Sequence, residues 1–113
     1  MDIDDISRQL KFEWSPDGGF LHDLRSGGFD PAKADRFLRV LGSIDPVDPA
    51  VMDRRIIGPI FLMPYYMLSH IQNSESLGVD TRRQRNVMYR AVELIGAIVG
   101  GVPLEEQEPP PEN

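Results

Sequence analysis

A mainly α fold, a compact bundle of about five helices, is what this chain predicts, and three observations carry that reading. Apolar residues recur at helical spacing in several separate stretches. Acid-plus-proline pairs stand where helix starts need them, at Asp30-Pro31 and Asp48-Pro49. With 113 residues, one domain buries about two-thirds of its unfolded surface and needs no metal or disulfide to hold a core. Residues 1–102 are read as a single helical domain and 103–113 as a disordered, acidic Pro/Glu-rich tail.

The first helix is expected over Asp2 to Phe12, with acids in its opening turn and Ile3, Ile6 and Leu10 on one side. The stretch Ser15-Pro16-Asp17-Gly18-Gly19 then has two readings. Ser15 caps a short helix with Pro16 at its first position, running to a stop at Gly27-Gly28. Alternatively, Leu10 to Trp14 and Phe20 to Leu24 alternate as an N-terminal β-hairpin around a Pro-Asp-Gly turn. The helix is preferred, because Phe20, Leu21 and Leu24 also share a helical face.

Asp30 and Pro31 open a third helix lined by Ala34, Phe37, Leu38, Val40, Leu41 and Ile44, with Asp35, Arg36 and Arg39 facing water. It ends near Ser43. Asp48-Pro49 leads into a helix to Ile57, interrupted at Gly58-Pro59. Ile60 to Ile71 follows as the least polar element. Pro64 should kink or restart it, and its apolar surround places it at the centre of the domain. Asn73 to Val79 is expected to be a loop. Thr81 and Gln84 have capping-box spacing for a last helix from Asp80 to Gly101.

That last helix is the most informative stretch. Val87, Met88, Ala91, Val92, Leu94, Ile95, Ile98 and Val99 form one broad apolar arc. Opposite stand Arg82, Arg85, Tyr89 and Gly96 in a file, with Arg83, Arg90 and Glu93 beside it. Four arginines crowd the N-terminal half, where the helix dipole disfavours cations. Tyr and Arg are the residue types enriched in binding hot spots. The candidate partner-binding residues are therefore Arg82, Arg85, Tyr89 and Arg90, with Trp14 as a second aromatic anchor near a turn. The plainer reading of the file is a solvated face with an Arg90–Glu93 pair, and of Trp14 a core residue.

No catalytic, cofactor or metal site emerges. His22-Asp23 is the only adjacent acid–base pair, and no serine sits in a nucleophile-elbow pattern. His70 reads as a hydrogen-bonded packing residue. Two histidines and no cysteine do not make the usual zinc sites. The paired glycines lack the spacing and lysine of a phosphate loop. The net charge of −6 weighs against nucleic acid. A helix-turn-helix around Asp45 to Ile57 is disfavoured by the apolar element that follows it. Arginine outnumbers lysine ten to two, by base composition or because planar multi-donor contacts serve interfaces. No signal peptide or membrane span is expected, which makes the cytoplasm the default location.

These features point to a small acidic module that binds another protein and acts by stoichiometric occlusion. Its best specific form is a bacterial immunity-type inhibitor that neutralises a toxin enzyme, not an enzyme itself. The alternative is a homo-oligomeric structural subunit or an assembly chaperone of a larger complex.

Overall fold

The computed structural model describes residues 2–101, so the expected tail at 103–113 lies outside the described residues. Among the described residues there are five helices of two turns or more and one single-turn helix: α1 (Ile3–Glu13), α2 (Phe20–Asp23), α3 (Pro31–Gly42), α4 (Arg54–Phe61), α5 (Met63–Ser76) and α6 (Arg82–Gly100). Short 3-10 turns at Leu24–Ser26 and Pro49–Met52 extend α2 and precede α4. α1 packs on α4 and α3, α3 on α6, and α5 on α6 and the Leu24–Ser26 turn. Leu10, Phe20, Leu21, Phe37, Leu41, Ile56, Ile60, Met63, Met67, Ile71 and Ile98 fill the interior. Phe20 stacks on Phe37 at 5.1 Å and meets the edge of Phe29.

The predicted mainly α class holds, and the β-hairpin does not form. Leu10 to Glu13 belongs to α1, whose Asp2 side chain accepts a hydrogen bond from the Asp5 amide. Ser15 caps only a turn, accepting from Asp17. The helix expected from Pro16 starts instead at Phe20. The reason lies at Gly19, whose backbone runs hard against the end of α1. The stop at Gly27 is as expected, with Gly27 in the left-handed region at φ 75°.

Three boundaries move. The helix expected from Pro49 to Ile57 breaks at Asp53, which adopts an extended conformation and caps α4 through the Arg55 amide. α4 then runs through Gly58-Pro59 to Phe61. Burial of Ile56 and Ile60 compensates the backbone bond that Pro59 removes. Pro64 does mark a restart, standing in the first turn of α5. The expected loop from Asn73 begins only at Leu77, because α5 continues to Ser76.

α5 is not central. Met63, Met67 and Ile71 point inward, while Phe61, Leu62, Tyr65 and Leu68 at the α4–α5 junction are exposed. Among the described residues no helix is long and apolar enough to cross a membrane.

Candidate functional site

The outer face of α6 is where the sequence placed the binding residues, and its cations turn out to be compensated within the chain. Asp80 accepts the Arg82 amide and binds the Arg82 guanidinium at 2.7 Å. Arg85 forms a bidentate pair with Glu75 at the end of α5. Arg83 lies 4.6 Å over the Phe29 ring, and Arg90 pairs with Glu93 at 3.0 Å. Hydrogen bonding to Arg82 holds the Asp80 carboxyl down to about 2, and Arg85 lowers that of Glu75. The basic cluster therefore sits beside its own acids, and its position against the helix dipole is explained locally.

The expected capping box does not form. Thr81 makes no side-chain cap, and Asp80 does that work. Gln84 is buried and donates across the fold to the Gly27 carbonyl at 3.2 Å. Its Oε1 has no partner among the described residues.

The apolar arc of α6 is narrower than its spacing suggested. Val87, Met88, Ala91, Ile95, Ala97 and Ile98 are buried, and Leu94 is half-buried. Val92 and Val99 are 43% and 58% exposed and share the outward side with Tyr89 at 54%. Gly96 stands between them, and a Cβ there would meet open space. Tyr89, Val92, Gly96 and Val99 therefore form one outward seam at i, i+3, i+7 and i+10, a helix-in-groove spacing. Arg90 and Glu93 flank it.

Trp14 lies on the opposite reading. It is half-buried, donates through Nε1 to the Pro59 carbonyl at 3.1 Å and meets the Tyr66 ring edge-on at 4.6 Å. It locks α1 to α4 and is not brought to the α6 face.

Sequence reasoning missed one charged group. Glu13 is 1% exposed, yet its carboxylate receives Arg36 Nε and Nη2 at 2.9 and 2.8 Å and the Phe20 amide at 3.1 Å. Arg36, expected to face water, also donates to the Gly18 carbonyl and lies 4.9 Å over Phe12. This is a structural tie among α1, α2 and α3. No spacing rule links residues 13 and 36, so no sequence signal was available.

Asp23 pairs with Lys33 at 2.9 Å, and the His70 ring packs on Tyr66 at 4.4 Å, the expected hydrogen bond being absent among the described residues. Among the described residues no three His, Cys, Asp or Glu side chains cluster to hold a metal. A cleft of about 390 Å³ between α1 and α3 is lined by Asp2, Asp5, Gln9, Arg36, Arg39 and Ser43 over Ile6 and Val40. No family model matches the chain, and neither a curated protein nor a solved structure resembles it to a significant degree.

Proposed function

We propose that the protein is a binding module that covers a partner's surface in a fixed stoichiometry, with an immunity-type inhibitor of a toxin enzyme as its specific form. The observation that carries this reading is the outward seam of Tyr89, Val92, Gly96 and Val99. Exposed apolar side chains at that spacing leave solvated area that a groove on another protein would remove from water. Gly96 costs a helix roughly 1 kcal/mol relative to Ala. Nothing inside the fold needs the space it leaves, so a close approach from outside supplies a reason for it. Arg90 and Glu93 provide a charged rim. The net charge of −6 favours a cationic partner through steered association.

The test is to mix the purified chain with the products of genes adjacent to its own and to titrate the activity of any toxic enzyme among them. Inhibition that saturates at a fixed molar ratio is expected, and Val99→Asp should abolish it without unfolding the chain. No stable complex with any neighbour would sink the proposal. The alternative of a homo-oligomeric subunit draws its support from a different surface, the α4–α5 junction.

A further inference from the structure

From Ile56 to Ser74 the chain runs nineteen residues without Asp, Glu, Lys or Arg, although 27% of all residues are charged. A buried helix explains such a run, but this stretch is only half inside. Phe61 is 73% and Tyr65 75% exposed, with Leu62 and Leu68 exposed beside them. On α4 the exposed Gly58 lies one turn before Phe61, and a Cβ there would again meet open space. An exposed helix face usually carries charge, and an exposed mid-helix glycine weakens its helix. Both departures fall on one corner of the molecule.

We infer that this corner is a self-association surface, on which a second copy of the chain packs through Gly58, Phe61, Leu62, Tyr65 and Leu68 about a two-fold axis. Charge selects this occupant. Each copy carries a net −6, so two copies meet most favourably where neither presents a charged side chain, and an isologous interface sets the same patch against itself. A cationic partner finds no acid here to pair with, unlike the charged rim of the α6 seam. Gly58 lets the two backbones approach, and the rings of Phe61 and Tyr65 supply most of the area, about 300 Å² per copy when covered. With the leucines and a polar margin the contact reaches the lower range of specific interfaces. A dimer that forms at micromolar concentration is the expected outcome for a contact of this size.

Sedimentation of the full chain across a concentration series decides the matter. Wild type should pass from monomer to dimer in the micromolar range, and added salt should not weaken the dimer, since it screens the repulsion between two acidic copies. Tyr65→Glu should weaken dimerisation at least about thirtyfold while leaving the helical spectrum unchanged. Gly58→Ala should raise the thermal midpoint of the Tyr65→Glu monomer and weaken the dimer in an otherwise wild-type chain, two opposite effects that mere surface exposure does not produce. A chain that stays monomeric at high concentration overturns the inference. So does a dimer indifferent to Tyr65→Glu, or one lost on Tyr89→Ala instead. Adsorption to neutral phosphatidylcholine vesicles in place of dimerisation overturns it as well. Capture of an inhibited enzyme by the Tyr65→Glu monomer would keep the α6 proposal intact whatever the outcome here.

Discussion

Glu13 and Arg36 show how much one interior charge determines. The carboxylate is sealed from solvent while the guanidinium still reaches water, so the two halves of the pair are unequal. Arg36→Met strands a buried carboxylate and should cost about 3–5 kcal/mol in urea denaturation. Glu13→Gln keeps an acceptor for the Phe20 amide and should cost distinctly less, an order that a surface ion pair would not produce. Leucine burial provides a second contrast. Leu41 is wholly interior, and Leu41→Ala should cost about 2–5 kcal/mol. Half-buried Leu94 should lose clearly less on the same change. Periodicity identified both leucines as inward because it reports the direction of a side chain but not how deeply its neighbours cover it. The Glu13–Arg36 tie was illegible for a related reason: two residues far apart in sequence meet only once three helices have docked.

At the scale of elements, the helices whose start signals were local were legible, and those held by docking were not. Asp30-Pro31 opens α3 as read, with Asp30 accepting the Ala32 amide at 2.9 Å. Asp53 was passed over because Asp48-Pro49 five residues earlier carried the stronger signal. α4 survives its internal Gly-Pro pair because its buried isoleucines are held against α1. The two late caps also set an acid limit. Asp53 and Asp80 are each lowered to about 2, chiefly by hydrogen bonds from Arg55 and Arg82. A carboxyl whose folded value is depressed contributes stability above its usual value of 3.8, and that contribution is lost as pH falls toward about 2. Thermal midpoints should therefore drop across that window. Asp53→Asn with Asp80→Asn, which keeps both caps but removes the titrating groups, should flatten the drop.

For the molecule as a whole, the two outward surfaces differ in charge, and their responses should differ accordingly. Arg82 is exposed and Arg85 half-buried, each paired with an acid of the same chain, so changing both to Ala should lower the thermal midpoint only modestly. Tyr89→Ala should weaken binding of the partner proposed for the α6 seam by about 2 kcal/mol. Isothermal titration against a captured partner measures it, and an unchanged affinity would move the contact away from the seam. The sequence pointed to this face through its arginines. The structure turns Val92 and Val99 outward beside Tyr89 and Gly96, whereas helical spacing alone assigned the two valines to the core. The junction of α4 and α5 was hidden for the opposite reason, because a run of uncharged residues reads as interior until the restart at Pro64 turns one side of it outward.

Gly19 has an evolutionary consequence. A Cβ at this position would lie 2.5 Å from the carbonyl oxygen of Phe12 and closer still to that of Glu13, a collision with main chain that no rotamer relieves. Gly19→Ala should prevent the Phe20 amide from reaching Glu13 and sharply lower the melting temperature. A descendant that keeps this junction of α1 and α2 is therefore expected to keep a glycine here, and one that keeps the buried carboxylate to keep Glu13 and Arg36 together. Those three positions, spaced as they are in this chain, are the ones whose joint change would mark a rebuilt junction.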